Sequence, residues 1–359
     1  MIEYRDTHLA VIGLGYVGLP LATAMAQAGV QVTGVDLDER KVTALNQGHS
    51  YIPDVSDETL SRAQAAGGLH ATIDYAALKE VDAIFICVPT PFDEMRAPDL
   101  KYVVAVSEGI VPYLKPGHLV VLQSTTYPGT TEEVVQPILE RSGLKAGVDF
   151  NLAFSPERID PGNEDWTVVN TPKVVGGLTP QCTERAVVLL EAAGAAVHPV
   201  ASPRTAEMTK LLENIFRSVN IALVNELALL AERMGIDFWE VIQAAKTKPF
   251  GFMPFYPGPG VGGHCIPVDP YYLSWKARAY DFYTKFIELA AEVNQAMPYH
   301  VVDLVCQGLS HKGQPVAGAR VLVLGVAFKP DIDDARNSPA ERVIELLLAK
   351  GAKVSYYDP

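Results

Sequence analysis

His8-Leu-Ala-Val-Ile-Gly13-Leu-Gly15-Tyr-Val-Gly18, followed by an apolar run to Ala28 and closed by Gly29, is the stretch that decides the fold. Residues 8–13 read as a buried parallel strand, Gly18–Ala28 as an apolar helix ended by Gly29, and Gln31–Asp36 as a second strand. The three together make a βαβ unit. The glycines permit a tight turn and let the backbone approach a pyrophosphate at the helix N-terminus. Gly13, Gly15, Tyr16, Val17 and Gly18 are therefore expected to line a dinucleotide. Asp36, eighteen residues beyond Gly18, would accept hydrogen bonds from ribose hydroxyls and repel a 2′-phosphate, which favours NAD over NADP.

Working outward, the apolar runs Ala83–Val88, Leu119–Gln123 and Leu152–Phe154 alternate with helix-like segments, as in a doubly wound parallel sheet. Val174–Gly176 and Ala196–Val200 are expected to complete it. The pattern changes at Ser202-Pro203, a helix cap followed by a first-turn proline. A helix of about 30 residues runs from there to Gly235. Met208, Leu211, Leu212, Ile215, Val219 and Leu223 form one apolar face. The opposite face starts polar at Lys210, Asn214 and Arg217 and turns apolar at Ile221, Val224 and Ala228. A helix apolar on both sides is expected to be buried between domains or subunits. Helices continue to about Leu309, interrupted by the Pro/Gly-rich loop Lys248–Pro270.

Arg320–Gly325, Pro339–Lys350 and Lys353–Tyr357 then repeat strand–helix–strand. The expected fold is α/β, with an N-terminal Rossmann domain (residues 1–201), a central helical dimerisation domain (202–312) and a partial C-terminal Rossmann-like domain (313–359). Two strands do not bury a sheet by themselves, so the last region reads as a truncated domain.

Composition narrows the function. The 29 basic and 42 acidic residues give a net charge of −13, and no Lys/Arg run interrupts it, so nucleic-acid binding is not expected. Cys87, Cys182, Cys265 and Cys306 form no CxxC pair, which argues against a disulfide framework or a metal site and for a reducing cytoplasm. Acidic residues precede the first apolar run, unlike a signal peptide, and no apolar stretch approaches the ~20 residues that span a bilayer. No membrane partner is expected.

The most informative loop is Gly258-Pro-Gly260-Val-Gly262-Gly263-His264-Cys265-Ile-Pro-Val-Asp269-Pro270. Four glycines around one cysteine suit a backbone that comes close to a ligand, and a thiol there suits a nucleophile. Cys87, in a core strand, reads as packing. Lys210 and Asn214, at i and i+4, share a helix face and can point at one oxygen.

This loop, with Gly13–Gly18, Val88-Pro-Thr-Pro91, Ser124-Thr-Thr-Tyr-Pro-Gly129, Ser155-Pro-Glu-Arg158, Lys210–Asn214 and Gly325-Val-Ala-Phe-Lys329, resembles the UDP-glucose/GDP-mannose dehydrogenase family over essentially the whole chain. The resemblance implies two NAD-dependent oxidations at C6 of a sugar nucleotide, through a thiohemiacetal and a thioester on Cys265. It implies that Lys210 and Asn214 stabilise the oxyanion, that Glu157 is the acid/base of thioester hydrolysis, that Asp269 supports a water or Lys210, and that Thr125 orders water. Lys41, Thr90, Ser124, Thr125 and Arg336 resemble cofactor contacts. Arg158, Ile159, Tyr256, Gly260, Phe328 and Lys329, with Lys210 and Asn214, resemble substrate contacts. A homodimer through the central helices follows by the same resemblance.

Where UDP-glucose dehydrogenases carry an acidic residue four positions beyond the match to Glu157, this chain has Pro161, and Arg158 stands beside the glutamate. Both features, and Thr247–Gly258, are similar to the branch that oxidises N-acetylated hexosamines, the UDP-N-acetylglucosamine 6-dehydrogenases. A guanidinium can donate to an acetamido carbonyl. UDP-GlcNAc is the expected substrate, ahead of UDP-GalNAc, UDP-ManNAc and UDP-glucose. β-Hydroxyacid dehydrogenases also join a Rossmann domain to a long helix, but they transfer one hydride and need no cysteine. A non-catalytic NAD-binding protein would leave Cys265, Lys210, Asn214 and Glu157 unexplained together.

Overall fold

The structure, a computed structural model, describes residues 7–93, 97–160, 163, 165–263 and 265–359. The chain divides into two compact units, with the break after Lys210.

The first unit is a Rossmann domain. Its strands are β1 (His8–Ile12), β2 (Gln31–Val35), β3 (His70–Thr72), β4 (Ala83–Ile86), β5 (Leu119–Leu122), β6 (Asn151–Phe154), β7 (Lys173–Gly177) and β8 (Val197–Pro199). They form one eight-stranded sheet in the order β3-β2-β1-β4-β5-β6-β7-β8. The helices are α1 (Gly18–Gln27), α2 (Glu39–Asn46), α3 (Asp57–Gly67), α4 (Lys101–Ile110), α5 (Gln136–Leu139) and α6 (Pro180–Glu191). The strands are apolar throughout because both sheet faces are covered. Leu9, Val11, Phe85 and Val121 pack on one side with α1, α3 and α6. Ala10, Ile12, Ile84, Val120 and Leu152 pack on the other with α4.

Local signals start these helices. Ser56 caps α3 by accepting from Thr59 N at 3.1 Å. Thr179 caps α6, with Pro180 in the first turn. Two features differ from the expected parallel sheet. The three-residue β3 was not anticipated, being too short to show a period. β7 runs antiparallel to β6, with Ala153 opposite Gly177. A parallel return needs a crossover, and the connection from Phe154 to Lys173 carries no helix among the described residues.

The second unit holds most of α7 (Pro203–Met234), then α8 (Phe238–Lys246), α9 (Asp269–Ala277), α10 (Lys285–His311), β9 (Arg320–Leu324), α11 (Pro339–Ala349) and β10 (Lys353–Tyr357). β9 and β10 pair in parallel, from Arg320 opposite Lys353 to Leu324 opposite Tyr357. Val302 of α10 packs with Val343 and Leu347 of α11 beside this pair. Leu324, Tyr356 and Tyr357 remain exposed. No described helix is long and apolar enough to cross a membrane.

α7 buries a mixed face, in which polar residues lie beside the buried Ala206, Leu211, Ala222 and Ala231. Glu207, Lys210, Asn214, Ser218 and Asn225 are buried, whereas Met208, Leu212, Leu223, Leu227 and Leu230 are exposed. A polar stripe turned inward needs partners for each group. Asn225 Nδ2 donates to Asn294 Oδ1 at 2.9 Å, and Asn225 Oδ1 accepts from Gly258 N at 2.9 Å, where the cysteine loop begins.

Candidate active site

In the first unit the glycine turn has the geometry its sequence implies. Gly13 has φ +93°, a left-handed backbone that glycine adopts at no steric cost, and its N donates to Val35 O at 2.8 Å. A Cβ on Gly18 would lie 1.9 Å from Gly13 O, so only glycine lets the helix start this close to the turn. A Cβ on Gly15 would meet nothing within 4 Å, so the backbone there is open to a pyrophosphate. Asp36, just beyond β2, accepts from Leu14 N and Asp38 N, each at 2.9 Å, and lies 3.4 Å from Lys41 Nζ. Lys41 also sits over the Tyr51 ring, whose hydroxyl donates to Leu14 O. Open backbone, helix N-terminus and carboxylate fit NAD.

The loops after β4 and β5 are tied together beside this turn. Thr90 Oγ1 donates to Thr125 O at 2.7 Å, and Ser124 Oγ donates to Val88 O at 2.7 Å. From the far end of the Thr125 loop, Gly129 N and Thr131 N donate to the Glu207 carboxylate at 2.6 and 2.9 Å, and Thr131 Oγ1 does so at 2.7 Å. Thr131 opens a π-helical turn, Thr131–Val135, and Arg204 pairs with Glu132 and Glu133 on it. Burial pushes the Glu207 carboxyl up, while these donors pull it down. Both Glu207 oxygens must accept, so Glu207→Gln turns an N–H₂ onto a backbone N–H. The variant is expected to lose about 1–3 kcal/mol of stability, read as a lower urea midpoint at unchanged slope. An unchanged midpoint would contradict this account of the Glu207 contacts.

Glu157 follows β6 and is buried. Its Oε1 accepts from Arg158 N and Ile159 N at 2.8 and 3.1 Å, and its Oε2 lies 3.1 Å from Lys173 Nζ. Lys173, which the sequence reading missed, is only 1% exposed. The Arg158 guanidinium donates to Pro172 O at 2.6 Å. Ile159 packs partly on the core. Pro161 lies outside the described residues. Cys87 is buried, and its thiol donates to Gln123 Oε1 at 3.1 Å. Burial first, and the Glu157 charge second, push that thiol up and keep it inert.

In the second unit Asn214 Nδ2 donates to Asp269 Oδ2 at 2.5 Å, and Arg217 donates to Asn214 Oδ1. The Asn214 amide is thereby held in one orientation. Cys265 is exposed. Its carbonyl accepts from Val268 N at 3.1 Å and Asp269 N at 2.8 Å, which turns the loop directly into α9. His264 lies outside the described residues. Phe328 packs against the glycines before the cysteine, since a Cβ on Gly262 would come within 2.6 Å of it and one on Gly263 within 2.8 Å. Gly260, at φ +129°, approaches Asn294 O and Pro339. Tyr256 stacks on Trp239 with ring centroids 6.0 Å apart. Lys329 is half-buried. The exposed Arg336 pairs with Asp334 at 2.6 Å. Lys210 lies one turn before Asn214 on the buried stripe of α7.

A Rossmann domain with this turn and carboxylate is the architecture of a dinucleotide-binding domain. The chain belongs to the UDP-glucose/GDP-mannose dehydrogenase family, matching its NAD binding domain over residues 7–193, its central domain over 204–296 and its UDP binding domain over 322–359. It is 40% identical over 357 residues to the UDP-N-acetyl-D-glucosamine 6-dehydrogenase of Pseudomonas aeruginosa, covering 99% of this chain and 83% of that protein. It is 39% identical over 355 residues to the NDP-N-acetyl-D-galactosaminuronic acid dehydrogenase of Ralstonia nicotianae, covering 97% of this chain and 81% of that protein. The solved UDP-D-ManNAc dehydrogenase of Pyrococcus horikoshii superposes with a TM-score of 0.91 at 36% identity, covering 98% of this chain and 83% of that one. The protein is an NAD-dependent nucleotide-sugar dehydrogenase.

Proposed function

We propose that the protein oxidises the C6 alcohol of UDP-GlcNAc to the carboxylate in two steps, giving UDP-GlcNAc uronic acid, with Cys265 as the covalent nucleophile. The observation that carries the chemistry is an exposed thiol in a glycine-rich loop of a nucleotide-sugar dehydrogenase, while Cys87 is buried and its thiol is pushed up by burial.

NAD supplies the hydride acceptor for both oxidations. A water acting as base takes the C6 hydroxyl proton, and Lys210 and the Asn214 amide stabilise the C6 oxygen as that proton leaves and again as an oxyanion, because donors fixed in advance cost no reorganisation in the transition state. Asp269 keeps the Asn214 amide aimed. The Cys265 sulfur attacks the aldehyde carbon and retains it as a thiohemiacetal, which is oxidised to a thioester. Glu157 then takes a proton from water as the water oxygen bonds to the carbonyl carbon, with Thr125 ordering that water. The C–S bond breaks, and the proton returns to sulfur. Gly13, Gly15, Tyr16, Val17, Gly18, Asp36, Lys41, Thr90, Ser124, Thr125 and Arg336 bind the cofactor. Arg158, Ile159, Tyr256, Gly260, Phe328 and Lys329 bind the sugar nucleotide.

The identity to a UDP-GlcNAc 6-dehydrogenase and the presence of Arg158 support the N-acetylated sugar. The similarity to relatives named for N-acetylgalactosaminuronate and ManNAc keeps UDP-GalNAc and UDP-ManNAc as the second reading. The exposed apolar row Met208, Leu212, Leu223, Leu227 and Leu230 supports a second copy of the chain packed on α7. NADH formation with UDP-GlcNAc, UDP-GalNAc, UDP-ManNAc and UDP-glucose tests the substrate. The highest kcat/KM is expected for UDP-GlcNAc, with UDP-glucose lower by about tenfold or more for want of the acetamido contact. Equal or higher activity on UDP-glucose would overturn the assignment.

A further inference from the structure

Lysine is among the residues most seldom fully buried, and an ammonium held out of water costs several kcal/mol, by order of magnitude, unless it is paired and hydrogen-bonded. Lys173 opens β7 with its backbone N bonded to Ala196 O at 2.8 Å and its side chain 1% exposed. Its ammonium lies 3.1 Å from Glu157 Oε2. An ion pair so placed adds little stability over a well-packed apolar pair, so packing alone is a poor reason for it.

The geometry around Glu157 gives another reason. A carboxylate offers about four acceptor positions, two on each oxygen. Oε1 is engaged by two backbone donors, Arg158 N and Ile159 N, and Oε2 by Lys173 alone among the described residues. Three donors from fixed directions leave one acceptor position, on Oε2, pointing one way. The backbone donors fix one end of the carboxylate, and Lys173 fixes its rotation.

We infer that Lys173 is the positioning residue that fixes the Glu157 carboxylate in the orientation it uses as the base of thioester hydrolysis; this rests on the proposed role of Glu157. Lys173, 1% exposed and paired with Glu157, acts through that carboxylate alone. In the step it serves, a water O–C bond forms, the C–S bond breaks, and the water proton passes through Glu157 to the departing sulfur. Nothing is oxidised or reduced in it. Losing Lys173 therefore impairs hydrolysis and spares the two oxidations before it.

Rapid mixing with excess NAD and the UDP-N-acetylhexosamine turned over fastest in the panel above, followed by intact-protein mass, reads the two phases separately. Lys173→Met is expected to release two NADH per active site in the first turnover and then to stall. Steady-state kcat should fall by about 10–100-fold, the cost typical of a misplaced catalytic group, with KM falling in parallel, kcat/KM nearly unchanged and an acyl adduct on Cys265. Lys173→Arg, which keeps a charged donor, is expected to recover most of kcat. If Lys173→Met does not fold, Lys173→Gln poses the same question with an uncharged donor and is expected to recover less than arginine. Glu157→Gln serves as the reference and is expected to accumulate the adduct. If it does and the Lys173 variants do not, or if they lose the first-turnover NADH in parallel with kcat, the inference is overturned. If Glu157→Gln itself accumulates no adduct, the assignment of Glu157 fails first.

Discussion

Cys265→Ala is expected to abolish formation of the uronic acid, lowering the rate by about a thousandfold or more, while NAD binding and the folded structure persist. The fold is expected to tolerate the change because Cys265 is exposed and its carbonyl, which accepts from Val268 N and Asp269 N, is kept. Alanine keeps those bonds. What it removes is a sulfur that can hold the aldehyde, pass through an oxidisable adduct and then leave. A hydrated aldehyde free in solution offers no such route within one binding event. Cys87→Ala makes the control, since that thiol is buried on Gln123 and pushed up by burial. It is expected to change stability and to leave the oxidation intact. Product analysis with NADH counting reads both variants, and uronic acid from Cys265→Ala at near the parent rate would sink the covalent route.

The second large effect is expected at the glycine turn, where two neighbouring glycines should respond differently to the same methyl group. A Cβ on Gly18 would stand 1.9 Å from Gly13 O and 3.1 Å from Cys87 Cβ, and the first of these is backbone that must move. Gly18→Ala is therefore expected to lower the melting temperature as well as weaken NAD binding by about a hundredfold or more, because the turn and the helix start shift together. A Cβ on Gly15 has nothing of the protein within 4 Å. Gly15→Ala is expected to fold with a near-parent melting temperature and still to bind NAD weakly, since the methyl group occupies space a pyrophosphate needs. Calorimetric NAD titration and thermal unfolding separate the two outcomes. Parent-like NAD affinity in Gly18→Ala would contradict the reading of the turn.

The βαβ unit was legible because glycine spacing, strand period and a carboxylate after the second strand lie within thirty residues and constrain one another locally. The direction of β7 was not, since an apolar run looks the same in either sense and the missing crossover helix is a negative signal. Hydropathy located α7 but ranked its faces by what gains most from leaving water. Its stripe Glu207, Lys210, Asn214, Ser218 and Asn225 is nonetheless buried, with partners on distant segments for Glu207, Asn214 and Asn225. The Asn214–Asp269 contact spans 55 residues and Thr131–Glu207 spans 76, beyond any periodic pattern. Lys173 shows the same limit most sharply. A lysine between Pro172 and two valines reads as a solvated strand end, and only the fold puts Glu157 beside it.

A four-electron oxidation through Cys265 consumes two NAD for each sugar nucleotide. The most direct measurement is the number of NADH formed per sugar nucleotide consumed, with UDP-GlcNAc limiting and NAD in excess. Two NADH per UDP-GlcNAc, with the uronic acid as the product, is the predicted result. One NADH per sugar, with a free aldehyde or ketone as the product, would contradict it.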